Sequence, residues 1–194
     1  MNLSAFVTND DKFDFDDFSE SVYKATIALN DVLDEGLPLH PLQEQRDSVR
    51  DWRQIGLGIF GLADMLIKMG ITYGSDKSID ICKRIADTML NSSIAASCDI
   101  AKMKGSFPKY SFYKLAMSKF YQENVWDDLK NDIAQYGLHN SQLLTIAPTG
   151  TLSTMIGVSG GIEPIFANYY TRKTESLYGE DKYYKVISTG DKSV

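Results

Sequence analysis

The sequence predicts a helix-rich α/β chain, and three observations carry that prediction. Several long stretches repeat apolar residues at helical spacing. One short apolar run, Gln142 to Ala147, reads as a buried strand. Small-residue turns built on glycine and proline separate these segments. A length of 194 residues fills one sizeable core or at most two small ones, and residues 1–194 read as a single partial domain. So few strands among so many helices is odd for a free-standing α/β domain and fits a part of a larger α/β barrel. Such a part leaves apolar strand edges open, so pairing with copies of itself, a homo-oligomer, is expected.

The first helix is expected to begin near Asp14 to Asp17 and to run to Glu35, with Phe18, Val22, Ala25, Leu29, Val32 and Leu33 on one face. Acidic residues load its first turn, and Gly36 then Pro38 stop it. Leu37 to Arg53 reads as a linker followed by a polar stretch of mixed charge. A second helix is expected over Ile59 to Met69, ended by Gly70. A third, capped by Ser75 or Asp76, should reach about Lys104, with Ile79, Cys82, Ala86, Met89, Ser93, Ala96 and Ile100 as its buried stripe and Gly105 as its stop. Shorter helices follow at about Ser111 to Gln122 and Val125 to Tyr136, the latter turning Trp126, Leu129 and Ile133 to the core. The strand comes next, then a Pro148-Thr-Gly-Thr turn and a helix from Thr151. Beyond Pro164 the chain is aromatic and polar, and its last dozen residues read as frayed.

Composition excludes several function classes. An apolar content of 43% with 24% charged residues is that of an ordinary globular protein. Twenty basic against 26 acidic residues give a net charge of −6, a poor balance for gripping a nucleic-acid backbone. No apolar run approaches the roughly 18 residues of a membrane span, and no charged leader precedes an apolar stretch. Two cysteines fit reduced thiols and a cytoplasmic home. Cys82 and Cys98 fall on the third helix, where a cysteine acts as a small buried hydrophobe. His40 sits among loop prolines, and no Cys/His/carboxylate cluster has ligand spacing, so no metal site is expected. Gly56-Leu-Gly58-Ile-Phe-Gly61 spells G-x-G-x-x-G, with Asp76 or Asp80 placed to pose as the ribose-binding acid. The residues before it, Asp51-Trp-Arg-Gln54, are no buried strand, so close backbone packing is the better account.

The Pro148–Ser153 segment carries the chemistry. A strand, a small-residue turn and a helix N-terminus together present unpaired N–H groups and a favourable dipole to an anion, and hydroxyls add donors. The plainer account is that Thr151 or Ser153 caps the helix and Gly150 serves only the turn.

Ile146-Ala-Pro-Thr-Gly-Thr-Leu-Ser153, followed by Ser159-Gly-Gly-Ile-Glu-Pro164, resembles the substrate-phosphate segment of the ribonucleotide reductase large chain, in wording closest to the adenosylcobalamin-dependent (class II) branch. Arg53-Gln-Ile-Gly-Leu-Gly-Ile-Phe-Gly-Leu-Ala-Asp-Met-Leu66, Gly105-Ser-Phe-Pro108, Gly137-Leu-His-Asn140 and Asn2-Leu-Ser-Ala-Phe-Val7 are similar to further segments of that family, in the same order. The resemblance implies part of a ten-stranded α/β barrel with a radical loop inside it. It implies that Pro148, Thr149, Gly150, Thr151, Leu152 and Ser153 hold the terminal phosphates of a ribonucleoside di- or triphosphate, whose 2′-hydroxyl the parent enzyme replaces with hydrogen. Adenosylcobalamin would serve that parent, and the remainder of the reductase chain would be the partner. The family's radical cysteine lies in an Asn-x-Cys-x-Glu loop that neither Cys82 nor Cys98 matches. The piece should therefore begin just downstream of that loop, contain no catalytic residue and be inactive alone. His139 departs from the arginine common before the asparagine. Glu163 reads as structural, accepting backbone N–H bonds. Rival readings are an iron- or manganese-dependent reductase of the same fold, and a non-catalytic nucleotide-binding or assembly module that pairs with a chain carrying the cysteine loop. An NAD-dependent enzyme built on the glycine motif fares worst.

Overall fold

The computed structural model describes residues 1–165, 167, 169–174, 179 and 182–187. Local chemistry sets most helix ends. Helix α1 (Phe15–Gly36) starts where the extended Asp14 accepts the Asp17 N–H at 3.0 Å through its carboxylate. It does not stop on a left-handed glycine: Gly36 stays right-handed and the chain tightens into a 3₁₀ turn over Leu37–Leu39, with Pro38 inside it. Helix α2 (Gln43–Trp52) occupies much of the stretch expected to be a linker. None of its residues is buried, so it has no apolar stripe by which periodicity could reveal it. Local pairs hold it instead, Arg50 to Asp47 at 2.6 Å and Gln43 to Asp47 at 3.0 Å.

Helix α3 (Leu62–Lys68) starts three residues later than expected, because Gly61 takes φ +73° at its cap. Helix α4 (Asp76–Lys104) has the expected span. Ser75 Oγ accepts the Ser78 N–H at 3.3 Å, and Gly105 at φ +87° ends the helix. The helix expected from Ser111 is two, α5 (Phe112–Ala116) and α6 (Lys119–Asn124). Ser118 is extended between them, and its hydroxyl caps α6 through the Tyr121 N–H. Helix α7 (Asp127–Tyr136) ends at Gly137, φ +77°. Helix α8 (Gly150–Ile156) is followed by an antiparallel hairpin, β1 (Tyr169–Thr174) and β2 (Lys182–Ile187), with Tyr169 opposite Ile187. The tail expected to fray therefore places 183–187 in a strand, while 188–194 lie outside the described residues.

The chain divides into two compact units. The first contains Met1, Asp14–Gly58 and Ile79–Ile146; the second contains Asn2–Phe13, Ile59–Ser78 and Ala147–Val194.

In the first unit, the buried line of α1 is Phe18, Val22, Thr26 and Asn30, whereas Val32 is 66% exposed. The inward face thus runs at i, i+4 through two polar residues that the apolar pattern skips. Asn30 Nδ2 donates to Asn140 Oδ1 at 3.1 Å, and Asn140 Nδ2 donates to Asn30 Oδ1 at 2.8 Å and to the Arg53 carbonyl at 2.9 Å. Ser97 Oγ completes the set by donating to Asn140 Oδ1 at 3.0 Å. On α4 the early stripe is Ile81, Ile85 and Met89, rotated from the expected one, so that Ile79 and Ala86 are exposed. Further along, Ile94 and Cys98 pack with Tyr121, Val125, Ile133 and Leu138. Trp126 stays outside this core. It precedes α7 and its Nε1 donates to the Asp87 carboxylate at 3.1 Å.

Two extended segments of this unit pair in parallel, Leu57 against Leu144, with the Ile55 N–H donating to the Gln142 carbonyl and the Thr145 N–H to the Leu57 carbonyl, both at 3.0 Å. The expected strand therefore exists as a single bridge and is not buried: Ile146 is 62% exposed. A parallel strand is covered only when neighbours and helices flank it, and here one neighbour is present. A Cβ on Gly58 would stand 2.9 Å from the Thr145 carbonyl oxygen, and one on Gly56 2.9 Å from Thr145 Cγ2. These glycines serve close strand approach, which is the packing role expected of them.

His139, at the root of this strand, is 5% exposed. Its Nδ1 lies 2.7 Å from the Gly105 carbonyl, and its buried Nε2 has no partner among the described residues. Burial pushes the imidazole below its ordinary range.

In the second unit, a 3₁₀ turn (Leu3–Phe6) lies on α3, with Asn2 bridged in parallel to Phe60 and Lys68 Nζ donating to the Ser4 carbonyl at 2.8 Å. The third glycine of the motif, Gly61, leaves room for Asn2 Oδ1, which would lie 2.6 Å from a Cβ there.

Two predictions follow from this packing. Gly58→Ala should cost about 1–3 kcal/mol, as overpacking does, whereas Gly36→Ala, with nothing within 4 Å, should be neutral or stabilising by up to about 1 kcal/mol. Denaturation midpoints of the two variants would show it, and equal losses would contradict the steric account. Because His139 is held neutral when folded, the unfolded chain protonates first as pH falls through about 6.5. Stability should then decline from about pH 6.5 downward, and His139→Gln should flatten that part of the profile.

Candidate functional site

The second unit contains Pro148–Ser153, and the backbone makes this segment unusual. Thr149 lies in the left-handed region at φ 50°, ψ 22°, a conformation that costs a non-glycine residue about 1–2 kcal/mol. From it α8 begins. The first intrahelical bond runs from the Ser153 N–H to the Thr149 carbonyl at 2.8 Å, so the amides of Gly150, Thr151 and Leu152 precede the helical ladder. Neither Thr151 nor Ser153 caps the helix; Thr149 holds the cap position without a side-chain cap bond. Ser153 is buried, with Oγ 3.4 Å from the Gly150 carbonyl, while Pro148, Gly150, Thr151 and Leu152 are exposed. The Thr151 hydroxyl makes no hydrogen bond among the described residues. A Cβ on Gly150 would meet nothing within 4 Å, so the chain's own turn does not demand glycine there. No side chain from Pro148 to Ser153 is charged. Any attraction for an anion would come from amide dipoles and hydroxyls.

A second strand of backbone braces this loop. The Gly161 N–H donates to Thr149 Oγ1 at 2.9 Å. Cβ atoms on Gly160 and Gly161 would stand 3.1 Å from the Pro148 carbonyl oxygen and 3.2 Å from that of Ala147, so the two glycines lie flat on the loop. The bracing segment is anchored in turn. Ser159 accepts from the Gly61 N–H at 2.8 Å, and its own N–H donates to Asp64 Oδ2 at 2.6 Å. Asp64, on α3, is 4% exposed. Tyr73 OH donates to the Ile162 carbonyl at 2.6 Å. Glu163 is exposed and its carboxylate accepts no hydrogen bond among the described residues, contrary to the structural role expected of it; its N–H closes a turn onto the Gly160 carbonyl at 2.9 Å. Sequence reading missed Asp64 and Tyr73. A lone carboxylate inside the apolar run Leu62-Ala-Asp-Met-Leu66 was the available signal, because such a group is buried only with partners.

The other sequence candidates stand apart. Cys98 is buried and Cys82 half-buried, and burial pushes both thiols up, the setting of inert cysteines. They lie sixteen residues apart on one helix, about 24 Å along its axis at 1.5 Å per residue, too far to form a disulfide. Among the described residues no group of three His, Cys, Asp or Glu side chains could hold a metal ion, and no helix is long and apolar enough to cross a membrane.

Comparison with known proteins places the chain in a lineage. It is 37% identical over 172 residues to a vitamin B12-dependent ribonucleoside-diphosphate reductase of Thermoplasma acidophilum, covering 89% of this chain and 20% of that one. It is 31% identical over 183 residues to the ribonucleoside-diphosphate reductase large subunit of Caenorhabditis elegans, covering 90% of this chain and 23% of that one. A large subunit from Variola virus is 30% identical over 188 residues, 90% of this chain and 24% of its own. The chain thus spans about a fifth to a quarter of the length of these relatives. Residues 1–189 match the barrel domain of ribonucleotide reductase, and the chain belongs to that family.

Proposed function

We propose that residues 1–194 form a single partial domain, the C-terminal portion of a ribonucleotide reductase catalytic barrel, and that Pro148, Thr149, Gly150, Thr151, Leu152 and Ser153 bind the terminal phosphates of a ribonucleoside di- or triphosphate. The observation that carries the reading is the left-handed Thr149, which opens α8 with three amides ahead of the helical ladder. An open Gly150 suits close approach of a phosphate to backbone. The parallel bridges Leu57 to Leu144 and Asn2 to Phe60 suit pieces of a ten-stranded α/β barrel completed by the remainder of the reductase chain. The parent enzyme would convert ribonucleotides to 2′-deoxyribonucleotides for DNA synthesis in the cytoplasm.

In this reading the chain positions and does not react. Neither Cys82 nor Cys98 stands in the Asn-x-Cys-x-Glu context of the family's radical cysteine. Fixing the phosphate end holds the ribose in place, and orientation of that kind removes much of an activation barrier. Adenosylcobalamin is proposed for the parent because a relative named as vitamin B12-dependent is 37% identical; a metal-dependent class I parent is the alternative, since other relatives carry no such name. Among the described residues, His139 is 5% exposed and so closed off from a corrin.

Thr151→Val and Ser153→Ala in the full-length reductase should each raise KM for substrate about tenfold or more, as expected when a hydrogen bond to a charged group is lost, with cofactor binding retained. Steady-state kinetics checks this, and an unchanged KM in both variants would refute the phosphate assignment.

A further inference from the structure

We infer that Asp64 and Tyr73 are positioning residues for substrate phosphate, acting through the peptide segment Ser159–Ile162; the inference rests on the phosphate reading of Pro148–Ser153. The loop cannot hold its own shape. Thr149 is β-branched and left-handed, and a relaxed chain would leave that conformation. What opposes the relaxation is the Gly161 N–H on Thr149 Oγ1, together with the flat contact of Gly160 and Gly161 on the carbonyls of Ala147 and Pro148. Those glycines have no side chains to anchor them. Their position is fixed at both ends instead. At one end the Ser159 peptide is held on its N–H by Asp64 and on its carbonyl by the Gly61 N–H. At the other, Tyr73 OH holds the Ile162 carbonyl.

Both contacts measure 2.6 Å, but the Asp64 contact is the better shielded, since Asp64 is 4% exposed and Tyr73 45%. A carboxylate buried within an apolar stretch of helix is costly to keep for packing alone. Placed where it is, it sets the height of Ser159, hence of Gly161, hence the dihedral angles of Thr149 and the direction of the amides that follow. Neither Asp64 nor Tyr73 needs to touch the ligand.

The test uses the full-length reductase and measures KM and kcat for the phosphorylated substrate, plus inhibition by the matching unphosphorylated nucleoside. Asp64→Ala should raise KM about tenfold or more, leave kcat within about twofold and leave nucleoside inhibition unchanged. Asp64→Asn, which keeps an acceptor oxygen, should recover most of the loss. Tyr73→Phe, at a 45% exposed residue, should raise KM about threefold to tenfold, and it decides the matter if Asp64→Ala does not fold. Nucleoside inhibition weakening in step with KM, or Asp64→Asn behaving like Asp64→Ala, would overturn the inference in favour of a merely structural Asp64. An unchanged KM in Asp64→Ala and Tyr73→Phe while Thr151→Val and Ser153→Ala raise it would overturn this inference alone. An unchanged KM in all four would overturn the phosphate reading as well.

Discussion

One buried side-chain amide organises the first unit. Asn140 reaches Asn30 on α1, Ser97 on α4 and the carbonyl of Arg53 at the end of α2, with its donors and acceptor engaged although the residue is only 1% exposed. A buried amide left unpaired costs about 1–3 kcal/mol for each missing bond. The helices are therefore free to pack on apolar surface only in the arrangement that brings all these partners to Asn140. The same residue stands at the root of the extended segment that pairs with Ile55–Leu57, so helix packing and strand register are set together. Greasy contacts such as Ile94, Cys98 and Ile133 supply most of the burial; the amide supplies the choice among ways of burying it.

The second unit works by a different economy. Its candidate site contains no charged side chain from Pro148 to Ser153, and it opens on a backbone conformation that the local sequence resists. Stability for that conformation comes from Gly61, Asp64, Tyr73 and Gly161, distant in sequence from Thr149 or without side chains of their own. A site of this type reads shape and negative charge.

Much of this was legible in the sequence where local chemistry decides it. Asp14, Ser75, Gly105 and Gly137 mark helix ends by capping and positive φ, and α1, α4 and α7 fall close to their expected spans. Legibility failed where the deciding term is tertiary or polar. Helix α2 has no buried face, so its periodicity is invisible. Asn30 is buried because its amide pairs with that of Asn140, and Thr26 is buried with its hydroxyl satisfied at the Val22 carbonyl, while Val32 stays outside. Ser118 broke one helix into two by capping the second. The hairpin of β1 and β2 is rich in Tyr, Thr and Lys and lacks the apolar alternation that signals a strand. At the site, the residues Pro148–Ser153 stood out by spacing and turn chemistry. Their bracing did not, since Asp64 precedes the loop by more than eighty residues and only the fold brings Ser159 between them.

The left-handed Thr149 has a consequence for anyone wishing to make this protein more heat-resistant. Replacement by glycine would relieve the local strain, since glycine occupies that region readily. Glycine leaves no side-chain acceptor for the Gly161 N–H, so that relief would come with a slacker loop. On the phosphate reading proposed above, thermal tolerance and ligand grip are set against each other at a single residue.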